Sequence, residues 1–294
     1  MSRLFWHEVE QALAASLGGS LHLSAPGSVG GGCINQAFRV ESSQGPFFVK
    51  VNSADGLEMF QAEAEGLEEL QQAESLRIPA PLAWGLADGQ AFLVLEYLEL
   101  GGSGSPAVLA EGLVAQHRIT ANRFGWYRDN TIGATPQPNR QEDEWLVFWR
   151  ERRLKFQLEL ALERGAGSRL VDRGERLLEA LPALLSGHRP EASLLHGDLW
   201  GGNYAYTRAG EPVLFDPAVY YGDREADLAM TELFGGFSPE FYAAYRHAWP
   251  LDAGYPLRRK LYNLYHVLNH YNLFGGGYLS QARGMIDALL AEVA

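Results

Sequence analysis

A run of small residues about a third of the way along the chain separates two parts of different character: Gly101-Gly102-Ser103-Gly104-Ser105-Pro106. Such a run interrupts every regular hydrophobic pattern and is typical of a boundary between structural units. Before it, short hydrophobic segments resemble β-strands, whereas after it hydrophobic residues recur mostly at helical spacing. We therefore predict an α+β fold with two lobes, a small β-rich lobe over residues 1–100 and a larger helical lobe over residues 101–294.

The same patterns predict the individual elements. In the first lobe, we expect helices at residues 5–17 and 58–76, and strands at residues 36–41, 46–51, 82–85 and 91–98. In the second lobe, we expect helices at residues 107–124, 144–164, 169–185, 239–249, 257–274 and 279–293.

The composition is that of a soluble globular protein, with 47% hydrophobic and 20% charged residues. A formal net charge of −12 makes nucleic acid a poor partner. The single cysteine, Cys33, excludes an internal disulfide, and no Cys/His cluster has the spacing of a zinc site. No hydrophobic run has the length of a membrane-spanning helix, and acidic residues near the N-terminus do not match a signal peptide. We expect a cytoplasmic protein that binds no membrane.

Two acidic residues in the second lobe each follow a short hydrophobic segment. Asp198 follows Leu194-Leu195, Asn203 comes five residues after Asp198, and Asp216 follows the strand pattern at residues 212–215. Phosphoryl transfer needs a group that orients the attacking hydroxyl and oxygen ligands that hold magnesium. Each motif alone is also an ordinary turn sequence. Together they predict a phosphoryl-transfer site in which Asp198 takes the hydroxyl proton and Asn203 and Asp216 hold Mg²⁺.

A glycine-rich segment and a lysine in the first lobe are candidates for phosphate binding. Gly30, Gly31 and Gly32 would let backbone amides approach a phosphate closely, although glycine-rich turns are also common between strands. Lys50 is the single cation in the strand predicted at residues 46–51, and a buried lysine needs a partner. On the next predicted helix, Glu63 or Glu65 could supply the carboxylate of a kinase-type Lys–Glu pair. We expect the nucleotide in the cleft between the lobes.

Two longer stretches resemble the fructosamine-3-kinase family, also called ketoamine kinases, within the protein-kinase-like and aminoglycoside-phosphotransferase-like group. They are residues 215–231 and the run His196-Gly197-Asp198-Leu199-Trp200-Gly201-Gly202-Asn203. The resemblance spans nearly the whole chain and implies a protein-kinase-like fold. It also implies an ATP- and Mg²⁺-dependent enzyme that phosphorylates the sugar O3 of a ketoamine such as a ribulosamine or fructosamine. The phosphorylated adduct then releases its amine, so the implied process is deglycation.

The resemblance implies roles for residues that match the family's motifs. Lys50 would bind the nucleotide's phosphates, and Glu63 would be its partner. Glu96, Tyr97 and Leu98 would form the hinge that holds adenine. The acceptor would be a small-molecule ketoamine or a glycated side chain of a protein.

Two tryptophans are candidates for binding the acceptor. Trp126 lies in residues 122–133, a segment that resembles the family's corresponding loop, and Trp200 lies two residues after Asp198. An aromatic ring can cover the apolar face of a sugar while polar neighbours bind its hydroxyls. Structural packing is the alternative explanation for both side chains.

Three charged residues after the metal-binding motif have a structural explanation instead. Asp223, Arg224 and Asp227 are expected to cap the start of a helix. An ion pair among them is expected to hold the loops that carry Asp198 and Asp216.

Cys33 lies inside the glycine-rich segment, and this position leads to a separate hypothesis. If its thiol is exposed, oxidation or a disulfide to a second chain would disturb nucleotide binding. An ordinary unreactive thiol is the alternative to such a redox-linked dimer.

The residues themselves allow two other functions. A kinase of another small alcohol, such as an aminoglycoside or choline, would use the same catalytic residues. A nucleotide-binding pseudoenzyme is disfavoured, because the complete set of named catalytic roles is present.

Overall fold

The computed structural model describes residues 1–30 and 34–293, which form two compact units. Unit 1 comprises Met1–Gly104 and Ala205–Asp216, and unit 2 comprises Ser105–Tyr204 and Pro217–Ala294. Residues 205–216, predicted as part of the second lobe, therefore belong to unit 1. Unit 1 contains the larger sheet and unit 2 most of the helices, which confirms the α+β prediction.

Unit 1 is built around a five-stranded antiparallel sheet with the spatial order β1-β2-β3-β5-β4. A two-residue turn at Asp88 and Gly89, both with positive φ, joins the last two strands and suits a tight hairpin. The four predicted strands are present, and β1 is an additional one. The strands are β1 (Leu23–Val29), β2 (Gln36–Ser42), β3 (Phe47–Ser53), β4 (Pro81–Ala87) and β5 (Gln90–Glu96).

Two helices complete this part of unit 1, α1 (Arg3–Leu17) and α2 (Leu57–Gln71). The Ser2 hydroxyl caps α1 by accepting a hydrogen bond from the backbone nitrogen of Phe5, and Gly18 ends the helix with a left-handed φ of 73°. Helix α1 buries one face in a hydrophobic core shared with the sheet. The residues of that core include Phe5, Val9, Leu13, Val49, Phe92 and Val94.

Backbone hydrogen bonds explain why residues 205–216 group with unit 1. The nitrogen of Arg77 donates to the carbonyl of Pro212, and the nitrogen of Leu214 donates to the carbonyl of Arg77, both at 3.0 Å. Gly101 donates to the carbonyl of Tyr206 at 3.1 Å. The segment forms most of a hairpin of β10 (Tyr204–Tyr206) and β11 (Pro212–Leu214).

Unit 2 consists mainly of helices, with two small sheets that support its loops. One sheet has the order β12-β9-β6, and the other pairs β7 with β8. A π-helical stretch, Trp149–Leu154, joins α4 to α5. The helices are α3 (Pro106–His117), α4 (Trp145–Phe148), α5 (Lys155–Glu163), α6 (Ser168–Leu184), α7 (Glu225–Leu233), α8 (Pro239–Ala248), α9 (Tyr255–Phe274) and α10 (Tyr278–Ala291). The strands are β6 (Thr120–Ala121), β7 (Asn130–Ile132), β8 (Thr135–Gln137), β9 (Ala192–Leu195) and β12 (Tyr220–Gly222).

Some predicted boundaries were wrong. The helix predicted at residues 107–124 ends at His117, because the following residues pair with β9 and Phe124 exchanges backbone hydrogen bonds with Glu142. The helix predicted at residues 58–76 ends at Gln71, and the strand predicted at 91–98 ends at Glu96. In the described ranges, no helix is both long and hydrophobic enough to cross a membrane.

Candidate active site

Lys50 is the centre of an ion-pair cluster in unit 1. It lies on β3 and is only 6% exposed. Its Nζ lies 2.5 Å from Glu63 Oε1, on α2, and 2.5 Å from Asp216 Oδ1, after β11. Of the two glutamates that the helix offered, Glu63 is therefore the one that contacts Lys50. Glu65 instead accepts a hydrogen bond from Gln61.

The two carboxylates determine the protonation state of Lys50. Burial alone would lower the pKa of Lys50, but the charges of Asp216 and Glu63 and their hydrogen bonds raise it above its ordinary value. Burial raises the pKa of Glu63, and Lys50 opposes that shift. Lys50 is thus a cation at neutral pH, placed by its partners.

Asp216 has an unusual backbone conformation, with a φ of 56°. A non-glycine residue in this left-handed region is uncommon, and such conformations cluster at functional sites. Its side chain is 50% exposed although one oxygen binds Lys50. Asp216 therefore presents a carboxylate from a fixed backbone to solvent, in a form that a hard cation such as Mg²⁺ can use.

The predicted adenine hinge lies at the end of β5. Glu96 forms an ion pair with Arg77, and its backbone nitrogen donates to the carbonyl of Ala80 at 2.9 Å. The ring of Tyr97 lies below the guanidinium of Arg39, 5.0 Å from its carbon. Leu98 is partly buried. The three residues follow directly on one another, and their adenine-binding role stays a prediction.

The glycine-rich segment connects β1 to β2, which are paired from Leu23 with Ser42 to Val29 with Ala37. Gly30 directly follows β1, and a Cβ built there would meet no atom within 4 Å. Gly31, Gly32 and Cys33 lie outside the described residues. Their predicted roles, including the redox-linked dimer through Cys33, stay predictions.

The loop that carries Asp198 begins at the end of the buried strand β9 in unit 2. Gly197 has a φ of 83°, and a Cβ at this position would lie 1.9 Å from the carbonyl oxygen of Ala218. The backbone nitrogen of Ala218 donates to the carbonyl of His196 at 2.8 Å. Glycine is therefore required at position 197 by both its conformation and this close approach.

Asp227 holds the same loop from the first turns of α7. Its carboxylate accepts hydrogen bonds from the backbone nitrogens of His196 at 2.8 Å and Gly197 at 2.9 Å, and it contacts His117 Nε2 at 3.1 Å. Burial would raise the pKa of Asp227, but the hydrogen bond and charge of His117 lower it overall. Asp227 holds the loop that carries Asp198, but through backbone hydrogen bonds and not through the predicted ion pair, and the contribution of His117 was not foreseen.

Asn203 and Asp198 are in direct contact. Asn203 Nδ2 donates to the backbone carbonyl of Asp198 at 2.9 Å and to its Oδ2 at 3.2 Å. Because the amide nitrogen is engaged with Asp198, the carbonyl oxygen Oδ1 is the ligand atom that Asn203 can offer. Amide and carboxylate oxygens suit Mg²⁺, so the donor atoms of Asn203 and Asp216 match that ion chemically.

Trp200 starts a series of aromatic contacts beside the catalytic loop. Its side chain is 40% exposed, and its ring centroid lies 6.4 Å from that of Phe234. Phe234 lies 4.7 Å from His270, whose ring also contacts Phe274 and Tyr278. The sequence offered no signal for this cluster, because its members come from the catalytic loop and from three helical regions.

Trp126 differs from Trp200 in exposure. It is 3% exposed and packs its ring 4.7 Å from that of Tyr127. Its backbone nitrogen donates to the carbonyl of Asn139 at 2.9 Å. The packing explanation therefore accounts for most of this side chain, and only a small part is accessible.

Another group of carboxylates lies around Arg258. Its guanidinium binds Glu225 at 2.6 and 2.8 Å and Asp252 at 2.8 Å. Asp223 caps the start of α7 by accepting from the backbone nitrogen of Glu225 at 3.0 Å, as predicted, and contacts His188. The guanidinium binds two of the carboxylates and offsets part of their negative charge, so the cluster is a structural ion-pair network.

Comparisons with known proteins identify relatives of this chain. A family model described as fructosamine kinase matches residues 5–292. A probable ketoamine kinase of Synechocystis is 45% identical, with 97% of each chain covered. A chloroplastic protein-ribulosamine 3-kinase of Arabidopsis thaliana is 44% identical over 93% of this chain and 85% of its own length.

The fold agrees with a solved structure as well. A crystal structure from Haemophilus somnus, assigned to the fructosamine-3-kinases, superposes with a TM-score of 0.90 at 30% identity and covers 98% of both chains. The match of the family model over almost the entire length is decisive. This chain belongs to the fructosamine kinase family.

Proposed function

We propose that this protein is an ATP-dependent kinase that phosphorylates the sugar O3 of ketoamines, either ribulosamines or fructosamines, in deglycation. The observation that carries the proposal is the catalytic loop, in which Asn203 and Asp227 fix Asp198 in a family whose relatives are named ketoamine kinases. A protein-ribulosamine 3-kinase among the relatives supports ribulosamines as one substrate class.

Asp198 is the proposed general base. Its carboxylate would accept the proton of the sugar hydroxyl as that oxygen attacks the terminal phosphate of ATP. The hydrogen bond from Asn203 Nδ2 to Asp198 Oδ2 restricts the rotation of the carboxylate. Positioning of this kind is the main contribution that a protein makes to phosphoryl transfer.

The nucleotide-binding roles fall mainly on unit 1. Lys50, held by Glu63, would neutralise phosphate charge, and Gly30 to Gly32 would supply backbone amides. Glu96, Tyr97 and Leu98 would bind adenine. Asn203 and Asp216 would hold Mg²⁺, which supplies charge neutralisation at the phosphates when bound.

The acceptor would be bound by Trp200 and, at the edge of the site, by Trp126. The exposed indole of Trp200 lies two residues from the base and can cover the apolar face of a sugar. The acceptor would be a small ketoamine or a glycated side chain of a protein. A cytoplasmic location remains a prediction.

The proposal is tested by measuring ATP consumption with Mg²⁺ and a panel of acceptors: ribulosyl-lysine, fructosyl-lysine, an aminoglycoside, choline and no acceptor. We expect turnover with at least one ketoamine and a loss of roughly 10²–10⁴-fold in Asp198→Asn, which removes the base. ATP binding by Asp198→Asn should persist. Turnover only with the aminoglycoside or choline would overturn the substrate, and tight ATP binding without any turnover would indicate a pseudoenzyme.

A further inference from the structure

A surface pocket beside Trp126 has features that the proposed catalysis does not use. Its volume is about 360 Å³, and all of its lining residues belong to unit 2. Backbone hydrogen bonds fix its walls, since Phe124 and Glu142 exchange two of them, at 2.9 and 3.0 Å. The pocket is therefore preformed. Its lining residues are Arg123, Trp126, Tyr127, Arg140, Gln141 and Glu142.

The charges around this pocket do not balance. Arg123 forms an ion pair with Asp143 at 2.6 Å, and Glu142 forms one with Arg152 at 2.6 Å. Arg140 is exposed, and within the part of the chain that the structure describes no carboxylate pairs with it. The pocket thus carries one uncompensated positive charge, in a protein whose formal net charge is −12.

A second unused donor belongs to a residue that lines the pocket. The Nε1 of Trp126 is buried and has no acceptor among residues 1–30 and 34–293. An indole nitrogen can only donate, and buried polar groups normally have a partner. A guanidinium without a carboxylate and an indole N–H without an acceptor both favour a ligand that carries acceptor oxygens, above all an anion.

Strand pairing connects the pocket to the catalytic loop. Gly125, next to Trp126, exchanges hydrogen bonds of 2.8 and 2.9 Å with Tyr221, and Tyr221 pairs with Leu194 on β9. Neighbouring strands lie about 4.8 Å apart, so Gly125 is roughly 10 Å from Leu194, just before the catalytic loop. A lysine-sized chain can extend over a distance of this order.

We propose that this pocket binds a carboxylate carried by the amine part of the ketoamine, with Arg140 as its charged contact and Trp126 as a hydrogen-bond donor. The inference rests on the proposed function and extends it to the part of the substrate beyond the sugar. A planar guanidinium matches the geometry of a carboxylate. The carboxylate can be that of a glycated amino acid or an acidic side chain beside a glycated lysine in a protein.

The test compares two acceptors that differ only in this charge. One is Nα-acetyl-lysine whose ε-amine carries the ketoamine, as the free acid, and the other is its carboxamide. With the wild-type protein, we expect kcat/KM for the acid to exceed that for the amide about tenfold, mainly through KM. Arg140→Gln should remove this preference by lowering only the value for the acid, and Arg140→Lys should restore part of it.

Further variants distinguish the loss of a contact with the ligand from a general effect on folding. Trp126→Phe keeps the ring but removes the N–H, and it should reduce the preference for the acid. Arg176→Gln is the matched control, because Arg176 is another exposed arginine without an ion-pair partner in the described ranges. It should leave both values unchanged. Equal kcat/KM for acid and amide in the wild type, or an equal loss for both acceptors in Arg140→Gln, would overturn the inference.

Two further comparisons identify the source of the carboxylate and distinguish failure of the carboxylate site from failure of the proposed function. Glycated peptides with Asp or Asn beside the modified lysine should show the same charge preference if acidic side chains of proteins are used. Equal turnover of the two peptides, with the preference for the free acid retained, would restrict the site to glycated amino acids. If the wild type turns over neither the acid nor the amide, the proposed function itself fails, whereas equal turnover of both contradicts only the carboxylate site.

Discussion

The carboxylate of Asp227 accepts a hydrogen bond of 2.9 Å from the backbone nitrogen of Gly197, the residue before the proposed base. Together with the bond from His196, it fixes the backbone from which Asp198 projects. In the proposed mechanism, the position of the base therefore depends on a buried carboxylate that does not itself lie at the reacting atoms.

Replacing Asp227 by Asn tests this dependence. The two backbone hydrogen bonds reach different oxygens of Asp227, and an amide offers an acceptor at only one of these two positions. We expect kcat to fall about tenfold, the effect of roughly 1.4 kcal/mol on the barrier, with little change in KM for ATP. Steady-state kinetics would show this, with Asp172→Asn on the exposed face of α6 as the control. An unchanged kcat in Asp227→Asn would contradict the positioning role.

The Lys50–Glu63 pair allows stability to be separated from nucleotide binding. Lys50→Met leaves Glu63 buried without its cation, and breaking a buried pair in this way costs about 3–5 kcal/mol of unfolding free energy. The double variant Lys50→Met/Glu63→Gln should recover much of that stability but none of the ATP affinity. Urea denaturation and nucleotide titration measure the two quantities.

The surface pair of Lys155 and Glu151, at 3.4 Å, is the control for this comparison. Lys155→Met should change the unfolding free energy by about 0–1 kcal/mol. Full recovery of ATP affinity in the double variant would show that Lys50 does not bind phosphate.

Trp200→Leu removes the exposed indole two residues after the proposed base. We expect KM for the ketoamine to rise at least about fivefold, because roughly 1 kcal/mol of ring contact is lost, while KM for ATP stays constant. Trp84→Leu on β4 is the matched control, since Trp84 is 37% exposed and Trp200 is 40% exposed. Equal effects of the two substitutions would mean that Trp200 does not contact the acceptor.

His266 makes stability depend on pH. Burial lowers its pKa in the folded protein to about 3, while in the unfolded chain it titrates near an ordinary value of about 6.5. The unfolded chain therefore binds an additional proton as the pH falls below that value, so acid favours unfolding. Between pH 7 and pH 5 this group should reduce the unfolding free energy by about 2 kcal/mol.

Denaturation of His266→Gln at the two pH values checks this sign. The variant should lose less stability on acidification than the wild type, whereas His247→Gln, an exposed control on α8, should behave like the wild type. An identical pH dependence in His266→Gln and the wild type would rule out the buried neutral histidine.

The sequence was most informative where local patterns and chemistry coincide. The buried lysine in β3 predicted a carboxylate partner, and the helix after it offered Glu63 or Glu65. Glu63 and Glu65 project from a helix in different directions. The sequence therefore narrows the partner of Lys50 to two candidates but does not decide between them. Four of the five strands of the larger sheet and most helices followed from their hydrophobic spacing for the same local reason.

Contacts between distant residues could not be predicted in this way. Residues 205–216 join unit 1 through backbone hydrogen bonds to Arg77 and Gly101, which leave no mark on side-chain patterns. His117 and Asp227 meet across more than a hundred residues, and nothing in the sequence distinguishes His117 within the helix predicted at residues 107–124. The aromatic contacts of Trp200 depend on packing in unit 2 that only the assembled structure reveals.

The most direct test of the central claim is to identify the product formed from ribulosyl-lysine, ATP and Mg²⁺ by phosphorus NMR. We predict one phosphate on the sugar O3, followed by release of free lysine, and no such product with Asp198→Asn. A phosphate on another oxygen would contradict the proposed acceptor geometry. ATP hydrolysis to free phosphate without any phosphosugar would contradict the assignment of this protein as a ketoamine 3-kinase.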